Sequence, residues 1–340
     1  MAAEMAWTAK ERLLTAMRGG RPDRVPVVVR GVRPWDDAWV QSRHASYAPL
    51  IDAVARLCDW EAYWGVGARL HTAEPIPTRV ETEEEPDWTV HTTYLRTPAG
   101  ELRMRHKTSK RGLPGMQIEF PVKEVEHVDW VLAVPYKPVY PGLESLHQLH
   151  QAVGDRGVVI VSMSDPIAYV HELLGSELLA IWSIEHPDII DTLVQEFTRR
   201  VADTLSYLLE GKAAEVYGFS GEEYLSPPLA APRHFWRWVV EPERSFGEMI
   251  HAAGYIFWVH CHGPLRSALR GFVEMGVDCL HPVEAPPMGD VTLRQARQVV
   301  GSMCLEGNIQ IGDIYAASEA DVRQLVRQAI EEGAAGAAPF

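Results

Sequence analysis

Two histidines separated by one residue, His260 and His262, are the most informative chemical feature of the sequence. They lie at the end of the apolar run 255–261, which is typical of a buried β-strand. Side chains at positions i and i+2 of a strand point to the same side, so both imidazoles can reach one divalent metal ion. Imidazole suits zinc and iron. The alternative is a metal-free site with one catalytic and one structural histidine.

Two carboxylates in neighbouring loops can complete such a site. Glu284 lies in a proline-rich loop, and prolines hold the side chains of a loop in place. Its alternative role is to cap the helix predicted from about residue 291. Glu223 follows the predicted strand 214–219 and is either an acid/base, a metal ligand or a solvated loop carboxylate. Tyr224 either contacts a substrate or packs within its loop.

Further candidates for substrate contact follow other predicted strands. Glu306 and Asn308 come after the strand 303–305, and we expect Asn308 to orient a substrate unless it is an ordinary turn residue. Arg30, Arg33 and Trp35 follow the β-branched run Val25–Val29, which we read as the first strand. Arginines there suit a carboxylate or phosphate on a substrate, or pair with nearby aspartates on the surface.

The elements that must position these residues alternate regularly. From about residue 158, short apolar strands alternate with amphipathic helices, which predicts a parallel sheet covered by helices. So many units favour an α/β fold of the (β/α)8 TIM-barrel type. Residues 78–122 alternate around a turn and predict an antiparallel β-hairpin excursion. We therefore predict one domain over residues 1–340, incomplete at the C-terminus unless the barrel closes in an unusual way.

Composition excludes several classes of protein. The formal net charge of −14 argues against nucleic acid or anionic membranes as partners, since both require clustered lysine and arginine. The sequence has no apolar stretch long enough to predict a transmembrane helix. The N-terminus lacks the apolar core that is typical of a signal peptide. The four cysteines are widely spaced. This usage predicts the reducing cytoplasm rather than a disulfide framework.

Three stretches resemble the uroporphyrinogen decarboxylase superfamily, which also contains zinc-dependent methyltransferases linked to corrinoids and folates. They are Glu11–Val27, Asp165–Gly175 and the segment from His260 to Asn308. They occur in the order expected of the superfamily, from about residue 9 onward. The resemblance implies a β/α barrel, in agreement with the alternation of strands and helices.

The resemblance also implies which branch of the superfamily is nearer. True decarboxylases carry an RQAGRY loop where this chain has RGVRPWDDAW, and a pocket tyrosine where it has His171. The methyltransferase branch binds zinc through His-x-Cys and a later cysteine on the last strand. Here His262 stands in place of that first cysteine, and the later cysteine has no counterpart. The zinc site that the resemblance implies is therefore altered.

These observations lead to one hypothesis with two alternatives. The first is a metal-dependent methyltransferase-like enzyme with zinc on His260 and His262. Its partners are a small-molecule substrate and a methyl carrier, either a corrinoid protein or tetrahydrofolate, and a homodimer is left open. The second is a metal-free decarboxylase that grips a carboxylated aromatic or tetrapyrrole through Arg30 and Arg33. The third is a barrel that binds a ligand without catalysis.

Overall fold

Ten β-strands lie within the part of the chain that this computed structural model describes, residues 7–334 and 340. Six strands form one sheet in the order β1-β6-β7-β8-β9-β10, and four form an antiparallel sheet in the order β2-β3-β4-β5. The predicted α/β class is thereby confirmed. In chain order, β1 to β10 are Trp60–Val66, Thr78–Glu84, Trp88–Arg96, Glu101–Ser109, Met116–Glu119, Gly157–Ser164, Val216–Ser220, Ile256–His260, Cys279–His281 and Cys304–Leu305.

Helices follow the strands of the larger sheet, as the alternation predicts. In the described residues, α1 to α13 are Ala9–Met17, Asp37–Gln41, Ala48–Leu57, Glu126–Leu132, Glu144–Val153, Pro166–Glu185, Pro187–Glu210, Pro232–Phe235, Glu241–Ala252, Leu269–Met275, Leu293–Val300, Ile311–Ala316 and Glu319–Gly333. A π-turn joins α8 to α9, so the chain is helical from 232 to 252, as predicted.

The chain divides into two compact units, which are described separately. Unit 1 comprises Met1–Val66, Pro141–Met163 and Ser206–Phe340, and it holds the parallel strands. Unit 2 comprises Gly67–Tyr140 and Ser164–Leu205, and it holds the antiparallel sheet. The single domain over residues 1–340 stays a prediction. Residues 335–339, on which the expected C-terminal incompleteness depends, lie outside the described residues.

Helix α1 packs on the inner face of the parallel sheet in unit 1. Thr8 caps the helix, and its side chain and that of Glu11 bond each other's backbone N–H, which is the capping box that the sequence predicts. Leu13, Ala16 and Met17 then share a core cluster with residues at or near the start of five of the six strands, β6 to β10. Those strand residues are Val158, Val216, Ile256, Cys279 and Cys304. The helix therefore fills the amino-terminal layer of the core.

The reading of Val25–Val29 as the first strand is wrong, because the segment joins neither sheet. Pro26 has no N–H to give to a ladder. The N–H of Val27 donates to the carboxylate of Asp59 instead, and Asp59 N–H donates to the Val27 carbonyl. The first strand is β1, which begins one residue after Asp59 and pairs in parallel with β6.

Unit 2 is built around the predicted hairpin. Strands β3 and β4 pair antiparallel across the turn at residues 97–100, and β2 and β5 extend the pair to four strands. Helix α6 is long and apolar enough to cross a bilayer by length and composition alone. However, 56% of that apolar window is buried inside the protein, which is typical of a core helix.

Candidate active site

The pleat of the parallel strands places a set of polar side chains just beyond the core layer in unit 1. Alternate residues of a strand share one face, so His260 follows Trp258 and Ile256 on the inner face of β8. For the same reason, His281 follows Cys279 on β9. Polar groups thus collect at the carboxyl ends of β8 and β9, which is the catalytic end of β/α barrels.

Three rings are stacked at this end of the sheet. His260 and His281 are partners in the parallel register of β8 and β9, with ring centroids 4.9 Å apart and planes 16° apart. Their Nδ1 atoms are separated by 2.7 Å, which is a hydrogen bond between imidazoles. The indole of Trp258 lies nearly parallel to both rings. The register of two short strands therefore joins two histidines that are 21 residues apart.

Both stacked histidines are held in their neutral form. Burial, with help from the nearby His262 and Arg30, lowers the pKa of His260 to about 4. Burial also holds the pKa of His281 well below its ordinary value, again with help from Arg30. Neutral imidazole is the form that accepts a hydrogen bond or binds a metal. Both rings can therefore accept a hydrogen bond or bind a metal ion at neutral pH.

His262 is oriented by Glu284. Its Nδ1 lies 3.2 Å from Glu284 Oε1, and its ring stands perpendicular to that of His260 with centroids 4.6 Å apart. The other oxygen, Oε2, accepts the backbone N–H of Gly263 at 2.6 Å. Burial of Glu284 raises its pKa, but the bonds from Gly263 and His262 outweigh it, so the pKa is lowered. Glu284 is therefore an ionised carboxylate that holds His262 in place.

Glu223 is the second predicted carboxylate, and it lies close enough to His262 and Glu284 to interact with their charges. It lies in a short 3₁₀ turn after β7, and the charges of His262 and Glu284 both act on it. Burial is the largest effect and raises its pKa. Its Oε2 is buried and has no hydrogen-bond partner among the described residues. Tyr224 follows it in the turn and is half-buried.

Of the predicted N-terminal residues, only Arg30 joins the stacked rings. Its Nη1 lies 2.6 Å from the ring nitrogens of His281, and its guanidinium carbon lies 4.6 Å from the ring centroid of Tyr63. Arg33 instead faces solvent and pairs with Asp36 at 3.8 Å. Trp35 packs against Trp60, the first residue of β1, with centroids 5.6 Å apart.

Glu306 and Asn308 both lie just beyond β10. Glu306 Oε2 accepts the indole N–H of Trp258 at 2.8 Å, and its Oε1 lies 3.9 Å from His281 Nε2. Asn308 adopts a positive φ of 122° and donates its side-chain amide to the Val283 carbonyl at 3.0 Å. Asn308 thus ties the loop after β9 to the loop after β10.

His171 belongs to unit 2, where helix α6 carries it. Its ring meets the edge of Phe120 with centroids 5.7 Å apart, and its Nε2 lies 3.0 Å from Ser176 Oγ. Burial lowers its pKa to about 4. Within unit 2 it is therefore a neutral, packed histidine.

Sequence reasoning missed His281, Glu61 and Tyr63. Glu61 and Tyr63 lie on β1, which was not predicted because Glu61 and Gly65 interrupt its apolar pattern. His281 stands directly before Pro282 at the end of a three-residue strand. The signal that could have found it is its spacing of two from Cys279, the same spacing that places His260 after Trp258.

The fold and the clustered site together define an α/β protein with a six-stranded parallel sheet, whose polar residues collect at the carboxyl ends of its strands. Residues 99–340 match the family model described as uroporphyrinogen decarboxylase (URO-D). That match covers more than half of the chain. The protein therefore belongs to the uroporphyrinogen decarboxylase family, as the three motifs predict.

A solved structure agrees with the fold. A methyltransferase from Methanosarcina mazei is similar with a TM-score of 0.62 and 15% identity, over 96% of this chain and 91% of that chain. A dipeptide epimerase from Methylococcus capsulatus, complexed with Mg ion, has a TM-score of 0.16 and 14% identity, over 59% of this chain and 86% of that chain, so it supports no comparison. No curated protein sequence matches the chain.

Proposed function

We propose that this protein is a metal-dependent, methyltransferase-like enzyme of the uroporphyrinogen decarboxylase family. The observation that carries the proposal is the pair of adjacent imidazoles, His260 and His262, at the carboxyl end of β8, with His262 oriented by Glu284. A methyl carrier, either a corrinoid protein or tetrahydrofolate, belongs to the proposal through the family resemblance. So do a small-molecule substrate, which Tyr224 and Asn308 orient, and a cytoplasmic location.

The residues present fit zinc in their chemistry. His260 is neutral because burial, with the charges of His262 and Arg30, lowers its pKa to about 4, and the contact of its Nδ1 with His281 leaves Nε2 as a ligand atom. The carboxylate–histidine contact of Glu284 with His262 is the usual arrangement behind a metal-bound histidine. The buried Oε2 of Glu223 is an oxygen of the site that has no hydrogen-bond partner among the described residues.

The roles of the two carboxylates follow from their contacts. Both oxygens of Glu284 are already engaged, and among the described residues neither Glu284 nor Glu223 brings a ligand atom within 4.8 Å of ligand atoms from both His260 and His262. We therefore assign Glu284 to the orientation of His262. Glu223, which feels the charge of His262, is the carboxylate available as a third ligand.

The metal, Arg30 and Asn308 have separate roles in the proposed reaction. Zinc bound there supplies a Lewis acid that lowers the pKa of a coordinated thiol. Arg30, beside His281, provides the positive charge for an acidic group of the substrate. Asn308 fixes the loops after β9 and β10 through its bond to Val283, and so keeps the mouth of the site in one conformation.

Metal analysis tests the proposal. Protein purified without added metal is expected to contain about one zinc or iron per chain by mass spectrometry, and the double variant His260→Ala, His262→Ala is expected to lose it. The exposed His44, in the His44→Ala variant, is the matched control and should retain the metal. A metal-free wild-type protein, or a double variant with unchanged metal content, contradicts the proposal.

A metal-free decarboxylase is the second candidate, and the position of Arg30 is the observation that favours it. The guanidinium of Arg30 lies against the rings of Tyr63 and Trp258, where it can bind a substrate carboxylate. Arg33 does not share this position, because it is exposed and paired with Asp36. Release of carbon dioxide that Arg30→Ala abolishes and Arg33→Ala leaves intact, from metal-free protein, would favour this candidate over methyl transfer.

A further inference from the structure

Arg30 lies against the faces of two aromatic rings in unit 1. Its guanidinium carbon is 4.6 Å from the ring centroid of Tyr63 on β1 and 5.6 Å from that of Trp258 on β8. The centroids of these two rings are 5.8 Å apart, and their planes are inclined by 55°. On a further side, Nη1 of Arg30 lies 2.6 Å from the ring nitrogens of His281. Rings from three neighbouring parts of the sheet thus surround one guanidinium.

Each of the two aromatic rings is held at its polar end by a carboxyl group. The hydroxyl of Tyr63 donates to Glu61 Oε2 at 2.8 Å, and Glu61 is 5% exposed. The indole N–H of Trp258 donates to Glu306 Oε2, also at 2.8 Å. A hydrogen bond at the end of a ring restricts the rotation of that ring. Tyr63 and Trp258 therefore form two fixed walls beside Arg30, which we call the aromatic clamp.

The aromatic clamp can order Arg30 without neutralising it. Arg30 is an exposed residue, and ordering an exposed arginine ordinarily costs conformational entropy. The carboxyl groups of Glu61 and Glu306 accept hydrogen bonds from the clamp, and neither pairs with Arg30 in the described structure. A cation–π contact holds a guanidinium but leaves its charge in place. The positive charge of Arg30 is therefore available to a ligand.

The contacts of Arg30 also leave one edge of its guanidinium open. Only Nη1 approaches a ring nitrogen, so Nε and Nη2 have no hydrogen-bond acceptor among the described residues. Two parallel N–H groups on one edge match the two oxygens of a carboxylate. The neighbouring His281 adds no positive charge, because burial holds its pKa well below the ordinary value. One cation with one open edge therefore fits a singly charged carboxylate.

We propose that Tyr63 and Trp258 are positioning residues that hold Arg30 for a carboxylate group of the substrate. This inference rests on the proposed function for the role of Arg30, and it names the acidic group of the substrate. Neither ring touches the reacting atoms, because both act through Arg30. No bond forms or breaks at Arg30, which orients the substrate through its charge and its open edge.

NMR relaxation of the arginine side chains tests the clamp without ligand or turnover. In the wild type we expect an order parameter of about 0.85 for Arg30 Nε–H, as for a rigid backbone, and a value below about 0.6 in Tyr63→Leu. Arg33 is the matched internal control. Its side chain is 56% exposed and lies 3.8 Å from Asp36, so it should be mobile in both proteins. If Arg30 is as mobile as Arg33 in the wild type, the inference is wrong whatever the protein catalyses, and this comparison needs no variant to fold.

Benzoate binding, measured by isothermal titration calorimetry, tests what the clamp does for a carboxylate. We expect Arg30→Gln to weaken binding by about 10-fold or more, and Tyr63→Leu by about 3- to 10-fold. Tyr63→Phe keeps the ring and should retain most of the affinity. In the Arg30→Gln background, Tyr63→Leu should cause no further loss, because Tyr63 acts through Arg30. A purely structural role for Tyr63 would lower the affinity there as well.

The outcomes separate this inference from the proposed function. Equal benzoate affinity in wild type and Tyr63→Leu, or no binding of benzoate to the wild type, overturns the positioning role. Binding of phenyl phosphate that is tighter than that of benzoate and is lost in Arg30→Gln overturns the carboxylate class. An ordered Arg30 that binds benzoate in a protein without metal contradicts the proposed metal-dependent function and leaves the clamp intact.

Discussion

His262 Nδ1 lies 3.2 Å from Glu284 Oε1, and the second oxygen of the same carboxylate accepts the N–H of Gly263. One carboxylate therefore fixes both the backbone and the ring orientation at the end of β8. Ligating histidines are commonly held in this way by an outer carboxylate. The contact makes Glu284 a candidate for tuning metal affinity even though it need not touch the metal.

Removal of this carboxylate should weaken metal binding more than it weakens the fold. We expect Glu284→Ala to reduce zinc affinity by about 10–100-fold, the range typical of lost outer partners. Competition titration against a chelator measures the change. Glu319→Ala removes an exposed carboxylate, 82% accessible and paired with Arg323, and should leave the affinity unchanged. Equal affinity in wild type and Glu284→Ala would remove Glu284 from the site.

The small size of Gly218 makes room for Trp258. A Cβ atom at Gly218 would lie 2.8 Å from a ring carbon of Trp258 and 2.9 Å from Ile160 Cγ2, closer than Cβ atoms pack in proteins. Gly218→Ala should therefore destabilise the protein by roughly 1–3 kcal/mol, the range for overpacking. It should also displace the indole that donates to Glu306.

Urea denaturation followed by circular dichroism measures the loss of stability in Gly218→Ala. Gly65→Ala is the matched control on a strand of the same sheet, because no atom lies within 4 Å of the Cβ it would add. A Gly218→Ala variant as stable as Gly65→Ala would show that the strands move apart at no cost.

The sequence predicted the strands and helices well where apolar periodicity is strong, and the site only in part. His260 and His262 could be recognised because their spacing matches the strand pleat. The contact of His260 with His281 depends on the register of β8 and β9, which neither segment encodes by itself. Glu61 was missed because a charged residue inside a strand is typical of an exposed position, whereas here its side chain is buried and accepts the hydroxyl of Tyr63.

Val25–Val29 was predicted as a strand but does not form one, which is the opposite of the error at β1. Its β-branched residues favour a strand, but strand propensity depends on a neighbour with free backbone groups. In the structure, the Val27 N–H is taken by the buried carboxylate of Asp59. The absence of a strand there is decided by a side chain 32 residues away, which no local pattern contains.

Acid should destabilise unit 2 through His71. This histidine is fully buried, with Nδ1 2.7 Å from the Tyr169 hydroxyl and Nε2 2.8 Å from Thr204 Oγ1. Burial lowers its pKa to about 4 in the folded protein. The unfolded chain, with an ordinary pKa near 6.5, then binds the proton more tightly, so stability falls as the pH drops from 6.5 to 4.

The expected loss from this one group is about 3 kcal/mol over that interval, by linkage. The free energy of unfolding measured from pH 7 to pH 4 should therefore depend less on pH in His71→Gln than in the wild type. His147→Gln alters an exposed histidine and serves as the control. Parallel pH curves for wild type and His71→Gln would show that His71 is already charged or already exposed.

Asp59 directly precedes β1, and its replacement should lower the free energy of unfolding more than that of an exposed carboxylate. Its side chain is fully buried and bonds Arg12 at 2.6 Å, Arg24 at 2.9 Å and the N–H of Val27 at 2.9 Å. Asp59→Asn leaves the buried guanidinium of Arg12 with one counter-ion fewer, and breaking a buried ion pair in this way costs about 3–5 kcal/mol. Since Asp59 also ties Val27 to β1, the loss should expose the 25–29 segment to proteolysis.

The control is Asp52→Asn, which breaks the ion pair with Arg56 on helix α3. Both of its side chains are 63% exposed, so solvent screens the pair and the variant should unfold with the wild type. Thermal unfolding of the three proteins side by side separates the two cases. Should Asp59→Asn and Asp52→Asn unfold together, the Arg12–Asp59–Arg24 cluster would contribute no net stability and the prediction would be wrong.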